Sequence, residues 1–151
     1  MNKSGSILAA ILLGGLVAGT IDVGAAALIN GAPVPVILKF IASGLLGKGA
    51  RGGGADIAVL GLVLQWAMSL VIAAVFVLAS LRLPVLRRNW PVWGLAYGVG
   101  IYFVMSYVVM PLSAVGHAPK FVMAGFAMNM AAMLVFGLIV AGCARWRLGK
   151  A

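Results

Sequence analysis

The sequence predicts an all-α membrane protein, a bundle of four transmembrane helices with a short interfacial or re-entrant helix between the first two. Three observations predict it. Of the 151 residues 64% are hydrophobic and only 9% are charged, with a mean hydropathy of +1.18, whereas soluble domains carry about 25% charged residues. Four apolar runs, residues 7–29, 57–81, 92–112 and 121–144, reach the roughly 20 residues a helix needs to cross the hydrocarbon core. The basic residues lie outside these runs, as anchors at membrane edges do. Residues 1–151 are expected to form one integral membrane domain.

The first run has a carboxylate inside it, Asp22. As a helix the run is roughly 35 Å long, slightly more than the roughly 30 Å core. Gly15, Gly19, Asp22 and Ala26 follow steps of four, three and four residues and share one stripe. Small residues let a neighbouring helix approach, and the same face hides Asp22 from acyl chains, where a charge costs about 2.5–3.5 kcal/mol. Lys3 ahead of the run imitates a signal peptide. The run exceeds the roughly 7–15 residues of an h-region, so it is expected to remain as a span.

Asn30-Gly31-Ala32-Pro33 stops the first helix, since the residue before proline leaves the helical region. Residues 34–46 are apolar but too short to cross. Val36, Ile37, Phe40, Ile41 and Leu45 line one face, with Lys39 and Ser43 on the other, a pattern for a surface or re-entrant helix. The glycine-rich stretch 47–54 carries Lys48 and Arg51. It fails the phosphate-loop template, because Ala42 stands where the first glycine belongs and Gly49 where Ser or Thr must follow the lysine. A linker with anionic lipid contact at Lys48 and Arg51 is the simpler reading. Asp56 stands at the expected N-cap of the next span.

The second span places Gly61, Gln65, Ser69 and Ala73 at steps of four; the third does so with Gly94, Gly98, Tyr102 and Ser106; the fourth with Gly125, Asn129, Met133 and Gly137. Each is a small or polar stripe suited to another helix. Gly15, Gly19, Gly61, Gly94, Gly98 and Gly125 are the expected packing positions. Asp22, Gln65, Ser69, Tyr102, Ser106 and Asn129 are the candidate intramembrane polar site. Arg87, Arg88, Arg145 and Arg147 are further candidates for anionic lipid contact. Pro84, Pro91 and Pro111 interrupt helices, and Trp90 and Trp93 suit an interfacial belt.

The charge pattern sets the expected orientation. Lys3, the loop with Arg82, Arg87 and Arg88, and the end with Arg145, Arg147 and Lys150 share one side and hold seven basic residues. Lys39, Lys48, Arg51 and Lys120 give four on the other. The bias puts both termini in the cytoplasm.

Several functions are disfavoured by what the spans lack. The +9 formal charge is distributed as anchors, not as a nucleic-acid surface. No paired carboxylates, no histidine in a span and no nucleophile beside a base are present, so no enzyme is expected. A bis-histidine haem is excluded on the same ground. Cys143 is the single cysteine and His117 the single histidine, the latter in a loop, so neither a disulfide nor a metal site is expected. No cofactor is expected. The eight dispersed methionines suit adaptable packing.

Gly19-Thr20-Ile21-Asp22, Ile41-Ala42-Ser43-Gly44-Leu45-Leu46-Gly47, Ala79-Ser80-Leu81-Arg82-Leu83-Pro84, Tyr97-Gly98 and Val109-Met110-Pro111-Leu112-Ser113-Ala114 loosely resemble a group of small bacterial inner-membrane proteins, the YagU-like proteins. The resemblance implies a four-helix inner-membrane protein and carries no activity with it. Relatives in that group often have histidines in the second and fourth spans, where this chain has Gln65 and Asn129.

Two functional expectations follow. The leading one is a packing or assembly module, whose glycine faces dock on copies of itself or on larger membrane subunits, because four helices are not expected to hide every small-residue stripe within one chain. The alternative is a proton- or cation-linked small-solute transporter or channel working through Asp22, since an intramembrane carboxylate is a functional-site hypothesis by default. The expected partners are membrane lipids and other membrane chains, with no nucleic acid.

Overall fold

Every described element is helical, and four helices are long and apolar enough to cross a membrane. The structure, a computed structural model, describes residues 2–114, 116 and 122–149. His117, Lys120, Phe121 and Lys150, to which the sequence assigns a loop histidine, two anchors and a span start, lie outside the described residues.

The first long helix, α1 (Lys3–Asn30), is capped by Asn2, whose side chain accepts from the Gly5 N–H at 2.7 Å. It ends on Gly31 at φ 60°, with Ala32 N–H reaching Ala27 O at 3.1 Å and Gly31 N–H reaching Leu28 O at 3.4 Å. That pair of bonds closes the last carbonyls and needs a residue that tolerates the left-handed region. The next helix, α2 (Val34–Leu46), starts with proline in its first turn and stops at Gly47, φ 89°. A tight turn (Lys48–Gly52) leads to α3 (Ala55–Arg82). Its N-cap is Gly54, not Asp56; the aspartate sits in the first turn, where its charge still suits the helix dipole.

A short α4 (Val85–Arg88) turns the chain into α5 (Trp90–Val104). That helix widens into a π turn (Met105–Val109) and continues as α6 (Met110–Leu112), so Trp90–Leu112 is one apolar span of 23 residues. The widening has a local cause. Pro111 cannot donate to Tyr107 O and its ring crowds that carbonyl; Met110 N–H instead bonds Met105 O, which opens the turn. The last helix is α7 (Met123–Leu148). All four spans run a few residues beyond their predicted apolar limits on at least one side, because backbone bonding continues after hydrophobicity stops.

α7 packs along α1 on one side and α5 on the other; α3 packs on α1, and α2 on α3. The main core is built from small residues, Ala10, Ala18, Ala73, Ala141 and Ala144, around Phe76, Val77, Phe136 and Val140. A second cluster joins Val23 of α1, Ile37 and Leu38 of α2 and Ala58 of α3. Large apolar side chains face outward, including Val59, Val63, Val71, Val75 and Leu78 along α3, as lipid-facing surfaces require.

Candidate functional site

Glycine decides where the helices touch. A Cβ on Gly15 would lie 2.9 Å from Leu70 Cα, and one on Gly19 would collide with the Ser69 hydroxyl, so α1 and α3 meet at closest range there. Gly61 backs onto the Leu38 carbonyl of α2. Gly94 and Gly98 of α5 face Gly137, Met133 and Leu134 of α7. Gly125 differs from its expected packing role. A Cβ there would meet nothing within 4 Å among the described residues, and this part of α7 borders a cavity. Gly137 is the tighter position: its missing side chain leaves room for Gly94 O and the Gly98 backbone. The four-residue stripe of α7 contains Gly137, and its position opposite two glycines of α5 is the signal that marks it.

Beyond these contacts the stripes turn into cavity lining. Asp22 follows Gly15 and Gly19 on α1, Tyr102 on α5 and Ser106 in the π turn follow Gly94 and Gly98, and Asn129 and Gly125 precede Gly137 on α7. With Gln65 and Ser69 of α3 they border one cavity of about 400 Å³. All six residues of the predicted polar site are therefore brought together. The cavity lies between α3 and α5, which share few close backbone approaches. Towards the α3 C-terminus that gap is shut: the Tyr97 hydroxyl donates to Ile72 O at 2.7 Å, and its ring meets Phe76 at 5.1 Å. Towards the other end, Ile37, Phe40 and Ile41 of α2 form part of the wall.

Asp22 is eight residues before the end of α1, about 12 Å along the helix axis. Gln65 Nε2 donates to its Oδ2 at 3.0 Å and to Gly19 O at 3.3 Å. The amide thus binds the carboxylate and ties α3 to α1. One turn away, Trp66 Nε1 donates to Thr20 Oγ1 at 3.1 Å, and that hydroxyl donates to Leu16 O at 2.7 Å. Two polar links therefore fix the register of α1 on α3. Tyr102 is buried, with its ring edge-to-face against Phe126 at 5.3 Å. Asn129 donates to Gly125 O on its own helix at 2.8 Å.

Phe40, Tyr107 and Phe126, which also line the cavity, were not singled out from the sequence as site residues. The π turn brings Met105, Ser106 and Tyr107 together on the wall. Pro111 near the end of an apolar run is the signal for it.

The basic residues divide by what they touch. Arg87 donates from Nε to Ser80 O at 3.3 Å and from a terminal nitrogen to Leu148 O at 3.1 Å and Gly149 O at 3.4 Å. Arg145 donates to Arg87 O at 3.4 Å. These two guanidiniums, predicted to contact lipid, satisfy carbonyls at helix C-termini, Arg87 those of α3 and α7 and Arg145 that of α4, where a cation is favoured. Arg51 stacks on the Phe40 ring at 4.8 Å and Arg147 on Trp146 at 5.3 Å. Lys48 and Arg88 are exposed. Among the described residues no cluster of three or more His, Cys, Asp or Glu side chains assembles.

No protein-family model, curated protein or solved structure matches this chain. The chemistry of the cavity itself is what bears on function.

Proposed function

We propose that this chain is a multi-pass integral membrane protein that admits a small solute to the cavity beside Asp22, as a transporter or channel does. One observation carries the proposal: Asp22, a carboxylate eight residues inside the end of α1, borders a cavity walled by polar groups from α1, α3, α5 and α7. A cavity of about 400 Å³ lies within the range of small-molecule sites, and intramembrane ionisable groups mark solute and ion pathways. The four long helices form the bundle, α2 lies at the membrane surface over the cavity, and both termini face the cytoplasm, as the basic residues favour. Residence in a bacterial inner membrane rests on the resemblance to the YagU-like group. In this orientation the cavity opens away from the cytoplasm, and the Tyr97–Ile72 link closes it inward. No reaction is assigned to the site.

The competing reading, an assembly module, drew on glycine faces left over for other chains. Gly15, Gly19, Gly61, Gly94 and Gly98 have neighbours within this chain, so those faces no longer call for a partner.

Cysteine labelling tests the proposal. In a Cys143→Ser background, Ser106→Cys is expected to react with a membrane-impermeant thiol reagent added from the non-cytoplasmic side. Val63→Cys, on an outward apolar face, is expected to stay unlabelled. Failure of Ser106→Cys to react from either side would remove the aqueous cavity and return the assembly reading to the front.

A further inference from the structure

The chemical character of the cavity wall narrows its occupant. Asp22 is the one acidic residue on the wall, and no lysine, arginine or histidine is among the described lining residues. Gln65 uses one carboxylate oxygen of Asp22, while an ionised carboxylate has about four acceptor sites. Among the described residues, an anionic solute would therefore meet a carboxylate and no compensating cation.

A bare metal ion is served no better. Hard cations such as Ca²⁺ take about 6–8 oxygen ligands, and no cluster of acidic or imidazole groups surrounds Asp22 among the described residues. The remaining wall is largely apolar. Tyr102, Tyr107 and Phe126 bring aromatic rings, whose faces attract cations, while the Phe40 ring already carries Arg51; Met68 and Met105 add polarizable surface that adapts to shape. One negative charge, several rings and an apolar remainder are complementary to an ammonium group on an apolar body.

We infer that the cavity binds an organic monocation, an amine or quaternary ammonium carried on an apolar or aromatic body, with Asp22 as its counter-ion. This rests on the reading of the cavity as a solute site. Gln65 acts as a positioning residue that holds the carboxylate towards the cavity.

The test uses the full chain in reconstituted membranes, with the Ser106→Cys reporter in the Cys143→Ser background. The probes are benzyltrimethylammonium, its neutral carbon isostere neopentylbenzene, and benzenesulfonate. The cation is expected to slow labelling about tenfold at saturation, and Asp22→Asn to raise the half-protecting concentration at least about tenfold. The neutral and anionic probes are expected to protect far less. Asp22→Asn keeps an acceptor for Gln65. Gly125→Leu gives a second variant, since its side chain enters open space bordering the cavity; it is expected to abolish protection with Asp22 intact.

Equal protection by the neutral or anionic probe, or protection by the cation that ignores both variants, overturns the cation assignment and leaves the solute site standing. Labelling that no probe slows also overturns it. A reporter that never labels defeats both readings together.

Discussion

Replacing Gly137 by alanine adds one methyl group at the closest approach of α7 to α5. The new carbon would overlap Gly94 O and lie 2.8 Å from Gly98 N and 3.0 Å from Gly98 Cα. Relaxed contacts between non-bonded heavy atoms need about 3.5–4.0 Å, so the helices must separate by roughly 1 Å. The obstruction is backbone, which no rotamer change can move aside. Overpacking of this kind costs about 1–3 kcal/mol, and the gain in helix propensity from glycine to alanine returns about 1 kcal/mol. A net loss of up to about 2 kcal/mol is expected, a factor of up to about 30 in the folded ratio. Gly125→Ala is the matched control on the same helix, where the added carbon meets nothing within 4 Å among the described residues and the propensity gain remains. Cys143 supplies the assay, because it is the only cysteine and is partly buried. Reaction of its thiol with a fluorogenic maleimide during heating in mild detergent reports unfolding. Gly137→Ala is expected to lower the midpoint and Gly125→Ala to leave it unchanged or raise it. Equal shifts in the same direction would refute glycine-set helix contact.

Three further outcomes follow from specific bonds. Gln65→Leu leaves the Asp22 carboxylate without its donor and releases Gly19 O; a loss of about 1–3 kcal/mol is expected, read by the same thiol assay, with Gln65→Glu failing to restore it because two carboxylates then adjoin. Arg87→Met removes the link between the ends of α3 and α7. Hydrogen exchange is expected to accelerate in the last turn of α7, and Arg87→Lys to rescue only part, since lysine lacks the planar fork. Tyr97→Phe keeps the ring contact with Phe76 but loses the bond to Ile72 O; a cost of about 1 kcal/mol is expected, together with labelling of Ser106→Cys from the cytoplasmic side if that link closes the cavity inward. Labelling that remains one-sided would assign the closure to the surrounding packing instead.

The four spans were legible because length and hydropathy suffice to identify a membrane helix. The polar site was legible for a different reason. A stripe at four-residue steps keeps one face, so a face that begins with glycine contacts and continues with Asp22, Gln65 or Ser106 arrives at the same interior. What the stripe does not encode is where contact gives way to space. Gly125 and Gly137 occupy the same stripe of α7, yet one borders the cavity and the other touches two glycines of α5; their difference depends on the path of the neighbouring helix. The carbonyl bonds of Arg87 and Arg145 were not legible for a related reason. Charge and position suit a lipid anchor, while the carbonyls at the ends of α3, α4 and α7 converge on these two residues only once the three helices are assembled. The π turn shows the reverse case, since Pro111 alone dictates a local disturbance whose consequence, Tyr107 on the cavity wall, depends on tertiary position.

Asp22 is proposed as the working group of a solute-accessible cavity. Infrared difference spectroscopy of the carboxyl bands in reconstituted membranes tests it most directly. The chain has only two acidic side chains, Asp22 and Asp56, so the region is nearly free of overlap, and Asp22→Asn assigns the signal. Addition and removal of benzyltrimethylammonium is expected to produce a reversible carboxyl band change that Asp22→Asn abolishes and Asp56→Asn preserves. A spectrum in which the Asp22 band does not respond to the cation, to pH or to exchange into heavy water would contradict the account and leave the carboxylate as a fixed link between α1 and α3.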